Sequence, residues 1–198
     1  YKSDHKFYYA MLWNLRTQMT PGYASPGDNE KVSDLLSPLY VTGSVGLDFK
    51  KEDKLSVFAS LASTKMTYVA NQELADQGAY GLEPAEFDDD GNKIEDGNHF
   101  KAEVGGYVKL HYQDNLMENV EMISSLDLFS NYLNNPQNLD VNLELLFNMK
   151  INQYLSANIS TNFIYDDDIK IVDSDDPEKA GQRLQFKEIL GIGISFTF

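Results

Sequence analysis

Hydrophobic and polar residues alternate along this chain with a period of two, and the pattern is cleanest over residues 138–152. Leu139, Val141, Leu143, Leu145, Phe147, Met149 and Ile151 fall on one face, and Asn138, Asp140, Asn142, Glu144, Asn148, Lys150 and Asn152 on the other, with Leu146 the exception. Residues 99–112 repeat it: Phe100, Ala102, Val104, Val108, Leu110 and Tyr112 oppose His99, Lys101, Glu103, Tyr107, Lys109 and His111. A two-residue period sends successive side chains to opposite faces of a strand. Six further segments read the same way, roughly 5–19, 38–50, 54–69, 117–132, 154–165 and 182–198. In 54–69 the apolar face changes phase between Leu61 and Met66, which predicts a β-bulge.

The connections alternate in length. Residues 51–53, 113–115 and 152–153 read as tight turns, while 20–37, 70–97 and 166–181 read as long polar loops. Residues 134–137 are short but fall on the long-loop side. Short turns at one end and long loops at the other is the pattern of bacterial outer-membrane barrels. The expected fold is therefore all-β, a transmembrane antiparallel β-barrel with eight strands in this chain, residues 1–198 forming one domain.

Side-chain size favours a membrane barrel over a soluble one. In several strands the polar face is also the small one: Thr42, Ser44, Gly46; Ser156, Asn158, Ser160; Gly191, Gly193, Ser195. Bulk lies on the apolar face, as in Leu190, Ile192, Ile194 and Phe196. A small barrel has a crowded interior and a roomy exterior, so small polar groups belong inside and large apolar ones against lipid. Lys6, Arg16, Asp48, Lys50, Lys101, Glu103, Lys109, Glu121, Asp127, Asp140, Glu144, Lys150, Arg183 and Lys187 are expected to face the lumen. Both signs occur there, so no single-sign ring declares ion selectivity. Tyr112, Tyr154, Phe49 and Phe198 are expected at the periplasmic rim, Tyr132 and Tyr165 at the outer one.

Charge sharpens this picture. The net charge of −15 lies wholly in the three long loops, which carry −8 over 70–97, −5 over 166–181 and −2 over 20–37. An acidic surface argues against nucleic acid, which needs clustered Lys and Arg. There is no cysteine, which removes disulfides and thiolate metal sites from consideration. Two acidic stretches are candidate sites for a divalent cation such as Ca²⁺. Asp88, Asp90 and Asn92 copy the opening of a calcium loop, although Lys93 stands where that loop needs Gly; Asp166, Asp167 and Asp168 form a second group. The plainer reading of both is solvated acidic loops. No catalytic motif appears. An outer-membrane hydrolase would need a positioned His with Ser or Asp, and His99, near the outer rim, is the nearest approach to one.

The stretches FYYAMLWNLRTQMTPGY at 7–23, LSVFAS at 55–60, LADQGAYG at 74–81, LFSNYLNNPQNLDV at 128–141, LSAN at 155–158, IYDDDIK at 164–170 and QFKEILGIG at 185–193 together resemble a family of Bacteroidetes outer-membrane β-barrels catalogued as a domain of unknown function. The terminal strand ending in Phe198 resembles the signal by which such barrels are recognised for insertion. The resemblance implies a Gram-negative outer membrane, contact with lipid and lipopolysaccharide, and passage through the barrel-assembly machinery. It supplies no activity and no site residues. Relatives carry further strands upstream, so the resemblance implies the C-terminal portion of a barrel of about twelve strands. Pairing of the strand around Ala10 with that around Ile192 would instead close eight strands. The functional expectation is a small porin-like channel or transport barrel. The alternative is a structural or binding barrel whose acidic loops engage divalent cations, lipopolysaccharide or a partner protein.

Overall fold

The computed structural model describes residues 5–25, 27, 29–166, 168–171 and 181–194. Eight long strands carry the alternation: β1 (His5–Thr17), β2 (Leu39–Lys51), β3 (Leu55–Tyr68), β4 (Phe100–Met117), β5 (Val120–Asn131), β6 (Asp140–Lys150), β7 (Leu155–Tyr165) and β8 (Gln185–Ile194). They form one antiparallel sheet in which every strand pairs with its neighbour in sequence. The ladder is open: among the described residues β1 pairs only with β2, and β8 only with β7. No helix of the described residues is long and apolar enough to cross a membrane.

The bulge expected in β3 is present. Register slips between Ser60 and Ser63 against β4, and opposite Val45–Leu47 of β2. The Ser60 hydroxyl donates to the Val45 carbonyl at 2.8 Å and accepts from the Ala62 amide at 3.1 Å, replacing ladder bonds that the extra residue interrupts. Opposite it, Gly46 is required by space, since a Cβ there would lie 2.1 Å from the Ala59 carbonyl oxygen. The slip turns Ser63, Lys65 and Thr67 to the same face as Ser56, Phe58 and Ser60.

Two expectations about connections are corrected. Residues 113–115 do not turn. They continue β4, and the hairpin reverses at Glu118–Asn119. Cross-strand partners hold these polar residues extended: Gln113 donates to Glu121 at 2.7 Å, and Asp114 pairs with Lys54 at 2.7 Å. Residues 70–97 are also more than a polar loop. They fold into a cap containing the short helix α1 (Gln72–Asp76), a 3-10 turn (Ala79–Gly81) and a two-stranded ribbon at 86–87 and 93–95. Asn71 caps α1, its side chain accepting from the Leu74 amide at 3.2 Å. Val69, Leu74, Ala75 and Leu82 are buried together, with Ala79 and Tyr80 packed against them.

The sheet is strongly curled. Lys65 of β3 reaches Asp140 at the start of β6, with Nζ 2.6 Å from the carboxylate. On a flat sheet three strand spacings would separate their backbones by about 14 Å. The concave side therefore draws side chains of distant strands together. Phe58, Tyr107 and Phe129 form a buried cluster there, touched by Ala10 and Leu12 of β1.

The convex side is apolar and uncovered. On β1 alone Phe7, Tyr9, Met11, Trp13 and Leu15 are 67–95% exposed. Phe7 stacks on Phe49 near the turns with ring centroids 4.9 Å apart.

Candidate functional site: a charge cluster beneath the cap

The bulge places Lys65 where the concave face meets the cap, and the residues around it are the most concentrated chemistry among those described. Lys65 Nζ lies 2.6 Å from Asp140, 3.1 Å from Asp166 and 3.9 Å from Glu103. Lys101 Nζ lies 2.5 Å from Asp168 and 3.6 Å from Glu103. Glu103 is the centre. Its side chain is 2% exposed, stands between the two ammonium groups, and accepts from Asn131 Nδ2 at 3.1 Å. Phe129 closes the apolar side, its ring centroid 5.6 Å from the Lys65 ammonium, within range of a cation–π contact. Four carboxyl groups thus share two ammonium groups, a formal excess of two acids.

The partners come from β3, β4, β6 and the segment after β7. Register sets Lys65 opposite Glu103 across β3–β4, with Met66 and Ala102 turned the other way. Asp140 opens β6 opposite Phe129. Asp166 and Asp168 follow β7 and fold back over the concave face, so the cluster ties that loop to β3 and β4. Burial opposes ionisation of Asp168, but the Lys101 ammonium outweighs it and holds the carboxyl below its usual 3.8. A cleft of about 330 Å³ opens beside Lys101 and Asp168 and is lined further by Gly81, Glu83, Asn98, Phe100 and Asn134. It joins the cluster to the cap and to the loop between β5 and β6.

No family model, curated protein or solved structure matches the chain.

The two candidate cation groups fare differently. Asp88 uses its carboxylate on its own turn, accepting from the amides of Asp90 at 3.1 Å and Asn92 at 2.7 Å and from the Asn92 side chain at 3.1 Å. Asp90 and Asn92 are exposed beside it. Asp166 and Asp168 are engaged by Lys65 and Lys101, and Asp167 lies outside the described residues. Among the described residues no three His, Asp or Glu side chains converge as metal ligands. His99 is held at both ring nitrogens, Nδ1 against the Val69 carbonyl at 2.5 Å and Nε2 against Gln72 Oε1 at 2.9 Å. It bridges the end of β3 to α1.

Of the residues expected to face the lumen, Lys101 meets Glu103 and Lys109 meets Asp127 on the concave face, while Asp140 meets Lys65. Lys109 lies 3.0 Å from Asp127, which also accepts from the Tyr107 hydroxyl. Glu121 takes Gln113 and Asn148, and Asp48 accepts from Ser56 at 2.7 Å. Arg183 falls before β8 begins, and Phe198 lies outside the described residues. Lys65, Phe58 and Phe129 are not among the residues that the alternation was read to place on the inner face. For Lys65 the signal was available, because carrying the phase shift of β3 through to its end puts Lys65 on the inner face.

Proposed function

We propose that this chain is an integral β-barrel protein of a Gram-negative outer membrane, acting as a small channel or transport barrel. The carrying observation is the distribution of polarity over the curled sheet. The convex side is apolar and exposed on strand after strand, while the charged and amide side chains gather on the concave side. Water would reward the reverse arrangement; hydrocarbon rewards this one. The resemblance of the chain to Bacteroidetes outer-membrane barrels points the same way. The long loops and cap then face outward, the tight turns face the periplasm, and the cluster around Glu103 stands in the outer mouth. Its formal excess of acids would favour cations passing it.

A second reading has its own support. Asp166 and Asp168 fasten a loop across the concave face, and such a tie narrows the mouth. In that reading the protein is a binding barrel whose exposed acidic tip, including Asp89 and Asp90, engages divalent cations, lipopolysaccharide or a protein. Planar-bilayer recording of the full chain separates the two. Stepwise conductance with a cation preference that falls in Asp166→Asn and Asp168→Asn supports the channel. A membrane as silent as one without protein turns the conclusion to the binding barrel.

A further inference from the structure

The concave face carries polar groups toward the mouth and toward the turns, with a dry apolar layer between them. At the mouth stands the cluster of Lys65, Lys101, Glu103 and Asp140. Toward the turns Lys109 pairs with Asp127 at 3.0 Å, and Asp48 accepts from Ser56 at 2.7 Å. Phe58, Tyr107 and Phe129 are buried between the two groups on three successive strands. On β3, Phe58 lies between Ser56 and Lys65; on β4, Tyr107 lies between Glu103 and Lys109; on β5, Phe129 lies between Asp127 and Asn131, which donates to Glu103. Phe58 and Tyr107 have ring centroids 6.1 Å apart. Phe129 lies over Gly105, where a Cβ would come within 2.9 Å of its ring. Ala10 and Leu12 of β1 pack against this layer. Ser60 and Ser63, opposite Tyr107 and Gly105 in register, are buried as well. The Lys65 ammonium, 5.6 Å from the Phe129 centroid, touches Asp140 of β6 and Asp166 beyond β7, so distant strands meet directly above the rings.

An ion that leaves a polar compartment for an apolar one gives up hydration with nothing to replace it, so a hydrophobic constriction gates by excluding water. Resting on the channel reading given above, we propose that Phe58, Tyr107 and Phe129 are the gate of this barrel, an aromatic constriction that hydrated inorganic ions cross only when it wets. The mouth cluster then sets which ions enter, and the rings set how often they cross. Both polar groups hold the rings in place. The Tyr107 hydroxyl donates to Asp127 on the turn side while its ring stays beside Phe58, and Lys65 sits over Phe129 on the mouth side.

Planar-bilayer recording of the full chain in potassium chloride is the first test. Phe129→Ala should raise the mean conductance about fivefold or more, with the cation preference kept because the charges at the mouth are unchanged. Phe163→Ala trims an equally large ring on the outer face and should leave conductance as in the wild type. Equal conductance in the wild type and Phe129→Ala would overturn the gate and leave the channel standing. Silence of both would overturn the channel reading and the gate with it. A second measurement leaves the rings intact. The chain has no cysteine, so single thiols can be placed at will. Asn134→Cys marks the loop end, Glu118→Cys marks the turn end, and Ser125→Cys lies on the inner face of β5 on the turn side of the rings. In vesicles, a maleimide on a long polyethylene-glycol chain should label the two end positions in complementary fractions. Full labelling of both would overturn the membrane reading. A small sulfonate-bearing methanethiosulfonate should label Ser125→Cys fast in the fraction whose turns face outward, as Glu118→Cys reports, and about tenfold more slowly in the rest. Uniformly fast labelling of Ser125→Cys would overturn the gate while leaving the membrane reading intact.

Discussion

Lys65 illustrates how much can depend on one side chain in a curled sheet. Its ammonium group lies within 4 Å of Asp140 and Asp166, and is one of two that face the buried Glu103. Removing one partner of a buried ion pair costs more than the pair itself contributes, because the remaining charge stays desolvated. Lys65→Met is expected to destabilise the fold by about 3 kcal/mol. Lys101→Met should lose less, since Lys101 is more exposed and leaves Lys65 in place beside Glu103. Urea unfolding in lipid vesicles, followed by the fluorescence of the single Trp13, measures both. Equal losses would show that Glu103 does not depend on Lys65. Lys101, Glu103 and Asp140 were legible as inward-facing from alternation alone. Their convergence was not, because periodicity assigns a face but not which strands the curvature will bring together. Phe58, Tyr107 and Phe129 were harder still: an apolar residue on the polar face reads as an exception until the sheet is curled around it.

At the scale of elements, alternation located all eight strands and the bulge, because each apolar position must keep its face. Hairpin ends were less legible. Polar residues 113–115 look like a turn, yet paired to Lys54 and Glu121 they extend the hairpin. The bulge supplies a test of spacing. Gly46→Ala would push a methyl group into the Ala59 carbonyl, whereas Gly191→Ala meets only the end of the Asn158 side chain. Gly46→Ala should cost about 1–3 kcal/mol and Gly191→Ala less, in the same urea assay; the opposite order would place the bulge elsewhere. The cap supplies a test of pH. Asp76 accepts from Lys93 at 2.8 Å, from the Gly97 amide at 2.9 Å and from Gln72 at 2.7 Å. These bonds, that of Lys93 foremost, lower its pKa from 3.8 to about 2. A lowered carboxylate pKa stabilises the fold above the unfolded value and loses that contribution as pH falls through the folded one. Protection of the Gly97 amide from hydrogen exchange should therefore hold above pH 3.8 and decline toward pH 2. Asp76→Asn should lack that decline, and an unchanged profile in the variant would assign the titration to another group. The cap core was not legible because its apolar residues, Leu74, Ala75 and Leu82, are scattered among nine acids.

For the whole molecule, the deciding question is which side of the sheet meets lipid. Pairing of β6 with β5 and β7 sets Leu143 between Leu126 and Phe163 on the convex side, and Asn142 between Asp127 and Ile164 on the concave side. The two residues are adjacent in sequence, so they share strand, depth and backbone hydrogen bonding and differ chiefly in the face they occupy. Arginine on a lipid-facing site near the midplane of a barrel costs about 2–4 kcal/mol, whereas a wet lumen accommodates it. On the concave side it would also find Asp127 and Glu144 close by. Leu143→Arg should therefore shift the urea midpoint for folding into vesicles far more than Asn142→Arg. In detergent-free buffer no such asymmetry is expected, because water solvates either face. Equal effects in vesicles would mean that the convex side does not face hydrocarbon. A larger effect at Asn142 would mean that the sheet buries its concave side in the ordinary way of a soluble protein. In that case the uncovered row from Phe7 to Leu15 would need a protein surface rather than lipid to cover it.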